Sequence, residues 1–219
     1  MRRLLDLYCG AGGAAMGYAR AGFEVVGVDI NPQPHYPFEF HQSDALEFLR
    51  VVPHGLPFDA IHASPPCQAY THKAADWGRK RNHWTDHPDL LAPTRDLLRQ
   101  TGLPYVIENV PGAPIDAQLQ LCGTHFGLHI IKHRLFEANW PLPMAPASCD
   151  HRDVYNPWAG QGRSADKLRE AQDTPWIPMS GGASRKAGVT GDLFNAIPPA
   201  YTKWIGTALL AFLETKAAA

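Results

Sequence analysis

Long apolar stretches are missing from this chain. None is long enough to cross a membrane as a helix. The apolar start Arg2-Arg3-Leu4-Leu5 is cut short by Asp6 and Gly10, too early for a secretory leader. An excess of charge is missing too: 20 Lys and Arg stand against 21 Asp and Glu, for a net charge of −1. A global polyanion-binding surface is thereby excluded, and any nucleic-acid site has to be a local patch. Cysteine is sparse. Cys9, Cys67, Cys122 and Cys149 form no C-x-x-C, which argues against a standard zinc motif and against a disulfide framework. A reducing, cytoplasmic location is expected. Cys122, His125, Cys149 and His151 match no standard ligand spacing, so they are read as scattered core or surface residues, and no metal is expected. Internal repeats and low-complexity tracts are absent.

What is present suits one domain with a real core: 219 residues, 45% of them hydrophobic. Twenty prolines imply stiff loops around a regular centre. Leu4 to Tyr8 reads as a strand, Cys9-Gly10-Ala11-Gly12-Gly13 as a glycine-rich turn, and Ala14 to Ala21 as a helix closed by Gly22. Glu24 to Asp29 is a second strand that ends in an acid. This βαβ unit is the signature of a parallel, doubly wound sheet, which binds ligands at the carboxyl ends of its strands. The glycine turn lets backbone approach a ligand, and Asp29 is placed to accept hydrogen bonds from the ribose hydroxyls of an adenosine. Gly10-x-Gly12-x-x-Ala15 also fits a relaxed dinucleotide fingerprint, which keeps NAD and a dehydrogenase open at this point. Asp44 has two readings of equal weight, a helix cap and a partner for an adenine amino group.

Phe58 to Ala63 is an apolar run that reads as a buried strand. Pro65 and Pro66 end it and stiffen the turn that presents Cys67. Held so rigidly, a thiolate has little entropy left to lose on reaction; the alternative is a small buried apolar residue. The segment Ala69 to Asp89 has no helical period. It interleaves His72, Lys73, Arg79, Lys80, Arg81 and His83 with Trp77 and Trp84, a mix suited to phosphate contacts and base stacking. A helix is expected from Leu90 to about Gln100, then a strand from Tyr105 to Val110. Glu108, at that strand's end, is either a proton donor with a raised pKa or an acid that anchors a loop. A helical turn is expected at Gln118 to Leu121, a cationic strand at Ile130 to Phe136, a helix near Asp166 to Gln172, and an amphipathic helix from Tyr201 to Leu213. A frayed tail follows.

Taken in order, Asp6-Leu7-Tyr8-Cys9-Gly10-Ala11-Gly12-Gly13, Pro66-Cys67-Gln68, Glu108-Asn109-Val110, Lys132-His133-Arg134-Leu135-Phe136 and Asn195-Ala196-Ile197-Pro198-Pro199 resemble the DNA cytosine-5 methyltransferases. The late motifs have no role in an NAD enzyme. The resemblance implies an α/β, Rossmann-like methyltransferase sheet, with residues 1–136 and 193–219 as the catalytic and cofactor domain and 137–192 as a reduced target-recognition region. It implies S-adenosylmethionine as cofactor and S-adenosylhomocysteine as product. Tyr8, Gly10, Gly12, Gly13, Asp29, Ile30, Asp44, Pro66 and Asn195 would meet the cofactor. Cys67 would be the nucleophile, with Glu108 and Arg134 holding the cytosine. Gln68, Asn109, Lys132, Lys73, Arg79, Lys80 and Arg81 would contact the substrate. Double-stranded DNA would be the partner, its target base flipped out, and the protein a monomer.

Some positions depart from the family's pattern. Tyr70 and Thr71 stand where Phe and Ser are common, Lys132 where an arginine is common, and Phe194 where glycine precedes Asn195. The interval from Glu137 to Leu193 is short for a recognition domain; Trp140, Arg152, Arg163, Lys167, Arg169, Arg185 and Lys186 would make up a reduced module. Such compactness is similar to bacteriophage methylases and to DNA modification of the restriction-modification kind. A very short target is expected, with GpC as the guess. RNA or a free cytosine nucleotide is the rival substrate, and a catalytically idle nucleic-acid-binding homologue the rival class.

Overall fold

Strands covered on both faces read as continuous apolar runs rather than as alternation, and the central strands of this chain do so. A computed structural model describes residues 1–51, 57–71, 88–156, 165–178 and 193–218. Its elements are β1 (Arg3–Leu7), α1 (Gly13–Ala21), β2 (Glu24–Asp29), β3 (Glu39–Gln42), α2 (Ala45–Val51), β4 (Ala60–Ala63), α3 (Gln68–Thr71), α4 (Leu91–Thr101), β5 (Tyr105–Asn109), β6 (Leu119–Leu121), β7 (Arg134–Ala138), α5 (Ala165–Gln172) and α6 (Pro199–Ala218). The strands form one sheet in the order β3-β2-β1-β4-β5-β7-β6. β3, β2, β1, β4 and β5 pair in parallel; β7 runs antiparallel to both β5 and β6.

Two apolar layers cover the sheet. On one face α1 and α6 pack Ala14, Ala15, Tyr18, Tyr201, Ile205 and Leu209 against Leu4, Val25, Ala60 and Val106. On the other, α2 and α4 bring Leu49, Leu91 and Leu98 to Leu5, Val26, Ile61 and Ile107. Removing each such leucine, isoleucine or valine side chain from water is worth about 1.5–3 kcal/mol. The α1–α6 contact depends on Gly17, where a Cβ would fall 2.0 Å from Thr202 Oγ1; the Thr202 hydroxyl instead donates to Ala14 O at 2.8 Å. Pro199 opens α6, a position where its missing N–H costs nothing.

The structure corrects several expectations. Gln118 to Leu121 is not a helical turn: Leu119 and Leu121 are buried, Gln120 is exposed, and all three pair with β7. The strand expected from Ile130 begins at Arg134 and runs to Ala138, because Ile131 N donates outward to Tyr155 O and Lys132 is drawn into the interior. That segment is therefore not a surface cationic patch. Helix α6 is longer than expected and includes most of the alanine tail. Trp140 is not part of a recognition surface; it is 5% exposed and stacks on Phe212 of α6 at 5.5 Å. The described part of the 137–192 interval, around α5, shares an apolar cluster with Ala11, Ile130 and Ala196.

Candidate active site

Strand order reverses between β2 and β4 on either side of β1, and loops leaving the sheet there diverge to leave a crevice. Because β7 is antiparallel, its first residue, Arg134, reaches the same edge as the last residues of β4 and β5. A cavity of about 260 Å³ occupies this edge. Asp6, Tyr8, Gly10, Gly13, Asp29 and Ile30 line one end. Pro66, Cys67, Gln68, Glu108, Asn109 and Arg134 line the other, and Asn195 closes a side.

At the first end the backbone is wound through the left-handed region at Tyr8 (φ 57°), Gly10 (φ 48°) and Gly12 (φ 83°). The Tyr8 hydroxyl is fixed to Thr94 Oγ1 at 2.7 Å, and burial pushes its pKa up to about 12. Asp29 accepts from Gly10 N at 3.1 Å and from Asn31 N at 2.9 Å. Those bonds, with a longer one from Asn31 Nδ2 to Oδ1 at 3.4 Å, hold the carboxylate still, and Oδ2 keeps a further lone pair. Ile30 beside it is 63% exposed, a large apolar face at the cavity mouth. Gly13 serves packing as well as approach: a Cβ there would fall 2.4 Å from Ile197 O. Gly12, expected at the cofactor, does not line the cavity; its missing Cβ makes room for Pro37 and Tyr36.

Asp6 was not assigned a role from sequence, though an acid inside an apolar strand is a signal. It is fully buried and lines the cavity. Tyr36 donates to its Oδ2 at 3.4 Å, while Oδ1 has no partner among the described residues. Burial, with Asp29 adding to it, pushes the Asp6 pKa up to about 8. An orphaned acceptor of this kind suits a cationic ligand, which would restore its charge.

At the second end, Asn109 Nδ2 donates to Pro65 O at 3.0 Å and so clamps the turn that carries Cys67. Burial pushes the Cys67 thiol above its ordinary pKa; Arg134 pulls it back and Glu108 opposes that pull. Glu108 is itself pushed up by burial, against the lowering effects of Arg134, Ser64 and Lys132. Arg134 Nε stands 2.8 Å from Glu108 Oε1, yet Oε1 lacks an aligned hydrogen bond. The pair is thus held by charge and not by direction. Gln68 Oε1 is likewise buried and has no partner among the described residues. Behind this end runs a chain that sequence alone did not show. Tyr18 Oη meets His62 Nδ1 at 3.1 Å, and His62 Nε2 meets Ser64 Oγ at 2.8 Å. Burial lowers the His62 pKa to about 3, so the ring is neutral.

Other expected residues fall elsewhere. Asp44 caps α2, accepting from Leu46 N at 2.9 Å and Glu47 N at 3.0 Å, and does not line the cavity. Lys132 is 1% exposed, its ammonium bound to Gln172 Oε1, Phe194 O and Ala196 O at 2.8, 2.9 and 2.5 Å. It therefore ties the residues on both sides of Asn195 in place. Tyr70, a departure from the expected Phe, uses its hydroxyl on Asp89, which also accepts from Leu91 N at the start of α4. Lys73, Arg79, Lys80, Arg81, Arg163, Arg185 and Lys186 lie outside the described residues. Trp176, not singled out from sequence, donates to Ala11 O at 2.8 Å and pins the glycine turn.

A sheet of this order, its cavity at the switch point, defines the S-adenosylmethionine-dependent methyltransferase fold. Residues 2–114, just over half of the chain, match the model of the C-5 cytosine-specific DNA methylases, and the chain belongs to that family. Among solved structures, the Dnmt2 methyltransferase of Schizosaccharomyces pombe superposes with a TM-score of 0.58 at 12% identity, covering 97% of this chain and 99% of that one. DNMT2 of Spodoptera frugiperda, in a triple-mutant form, gives 0.47 at 17% identity over 70% of this chain and 57% of that one. A prophage-encoded Escherichia coli protein assigned as a DNA modification methyltransferase gives 0.45 at 22% identity, over 62% of this chain. The chain spans 45% of that protein's length and 57% of the insect protein's. No curated protein matches in sequence. Among the described residues no helix is long and apolar enough to cross a membrane.

Proposed function

We propose that this chain methylates carbon 5 of cytosine in double-stranded DNA, with S-adenosylmethionine as methyl donor. The observation that carries the proposal is the meeting of Cys67, Glu108 and Arg134 at one end of a cavity whose other end presents Asp6, Asp29 and Ile30. Asp29 would accept the ribose hydroxyls, Ile30 would pack on the adenine, and Asp6 Oδ1 would face the cofactor's positive charge. Asn195 and the backbone at Gly10 would complete that end. When bound, the sulfonium supplies the electrophilic methyl that carbon 5 takes up.

The remaining chemistry belongs to the chain's own residues. Carbon 5 of cytosine is a poor nucleophile. The Cys67 thiolate attacks carbon 6, which pushes electron density onto carbon 5 as an enamine. Glu108, whose pKa burial raises, passes a proton to N3 as the charge moves there. Arg134 holds O2, where negative charge collects. After methylation, solvent takes the carbon-5 proton, the Cys67 thiolate is expelled, N3 returns its proton to Glu108, and the aromatic ring is restored. The target base is flipped out of the duplex, since its reacting atoms are out of reach inside the stack, and Gln68 offers its acceptor to the extruded nucleotide. Tyr70 and Asp89 hold the two roots of the basic segment that follows Cys67.

Plasmid methylation followed by bisulfite sequencing tests activity and target together. Protected cytosines at a short recurring site, GpC among the candidates, are expected. Label from S-adenosylmethionine that enters RNA or dCMP but not duplex DNA would overturn the DNA assignment.

A further inference from the structure

A second gathering of donor atoms lies away from the cavity. Cys122 follows β6 and precedes a 3₁₀ turn, Gly123–Phe126; His133 stands one residue before β7; Cys149 and His151 come from the segment after β7. One ligand atom from each of these four residues lies within 4.8 Å of all the others. Cys122 Sγ is 3.5 Å from His151 Nε2, and Cys149 Sγ is 3.6 Å from His133 Nε2. Bonds of about 2.3 Å to sulfur and about 2.0 Å to nitrogen, at tetrahedral angles, set an S···N edge of about 3.5 Å around Zn(II). The His133 and His151 rings stand at 67° with centroids 5.0 Å apart, edge to face and not stacked.

Hydrogen-bond donors face both sulfurs. Thr124 Oγ1 donates to Cys122 Sγ at 3.4 Å. His125 Nδ1 accepts the Cys122 N–H at 3.4 Å, which leaves its proton on Nε2, 3.0 Å from Cys149 Sγ. Each sulfur thus has its own outer donor, the arrangement that stabilises metal-bound thiolates. Two thiolates and two neutral imidazoles balance a divalent cation. Asp150, between two of the four residues, is taken up by Arg152.

We propose that Cys122, His133, Cys149 and His151 bind one Zn(II) ion as a closed structural site, with His125 as an outer partner and not a ligand. The site clips the segment after β7 back to the end of β6. It also fixes His133, whose carbonyl accepts from Arg134 Nη1 at 2.8 Å, so the metal steadies the strand start that carries the cavity's arginine. The sequence spacing hides the site because its ligands come from three separate segments, one of them preceding β7 by a single residue.

The full chain, reduced and stripped of metal with a chelator, is titrated with Co(II). Intense visible bands of tetrahedral cobalt with a thiolate charge-transfer band are expected, saturating at about one ion per chain and displaced by Zn(II). The readout uses the wild-type chain, so it does not depend on a variant's folding. Cys149→Ser and His151→Asn are expected to weaken Co(II) binding at least tenfold, while His125→Ala keeps a stoichiometric tetrahedral site. A pale octahedral spectrum or no uptake would overturn the site. Loss of binding in His125→Ala with retention in His133→Asn would overturn the ligand set.

Discussion

The two ends of the cavity are built differently. At the glycine-turn end most polar groups already have partners: Asp29 holds two backbone amides and Tyr8 is fixed to Thr94. At the cysteine end, buried Glu108 Oε1 and Gln68 Oε1 lack aligned hydrogen bonds among the described residues, and Arg134 and Glu108 pull the Cys67 thiol in opposite directions. A satisfied site is rigid before its ligand arrives, which lowers the cost of binding. A site with unpartnered acceptors holds interactions in reserve for the reacting base. In the proposed reaction the first end serves as a seat and the second as a reaction centre. Asp6, with its free Oδ1, is the exception at the first end.

Separating the ends by substitution should break binding and chemistry apart. The largest effect is expected at Cys67→Ser: methyl transfer falls at least ~10³-fold, with calorimetric affinity for S-adenosylmethionine within about twofold of wild type. Glu108→Gln should cost ~10²–10⁴-fold in turnover. Arg134→Ala should cost ~10²–10³-fold and add a pH signature. Because Arg134 pulls the Cys67 pKa down, its loss should move the rise of rate with pH toward higher pH, measurable in single-turnover profiles. At the other end, Asp29→Ala should weaken cofactor binding ~10–100-fold while turnover at saturation changes little.

Asp6 sharpens the comparison through stability. Its pKa is about 8 in the folded chain against an ordinary 3.8. Between those values the native state holds a proton that the unfolded state has lost, so Asp6's contribution to stability is full below pH 4 and fades as pH rises through 8. Asp6→Asn should flatten that slope in thermal melts of the unliganded protein, and saturating S-adenosylmethionine should flatten it in wild type. The smallest effect is expected at Tyr70→Phe, about 1 kcal/mol of stability in denaturant melts, with the cavity chemistry intact.

Much of this was legible in the chain itself. β1, β2, β4 and β5 are apolar runs with glycine, proline or acidic ends, and α1 stops at Gly22 where a left-handed residue is required. Cys67, Glu108 and Arg134 were readable from their motifs, but their convergence depends on β7 running antiparallel, which no local pattern states. β6 was misread because three residues carry too little period, and its pairing with β7 decides its form. The buried place of Lys132, expected as a substrate contact, was not legible because its acceptors come from α5 and from Phe194 and Ala196, all distant in sequence. The cap role of Asp44 was legible because it needs only the amides two and three residues on.

The reaction proposed for the cysteine end is tested most directly by a duplex carrying 5-fluorocytosine at the target position. Fluorine at carbon 5 cannot leave as a proton does, so the covalent enzyme–DNA species should accumulate. With S-adenosylmethionine present, intact-mass spectrometry under denaturing conditions is expected to show one adduct, carrying the added methyl and mapping to Cys67, and none for Cys67→Ser. Methylation of the ordinary duplex without any trapped adduct, or an adduct at another residue, would contradict the assignment of Cys67 as nucleophile.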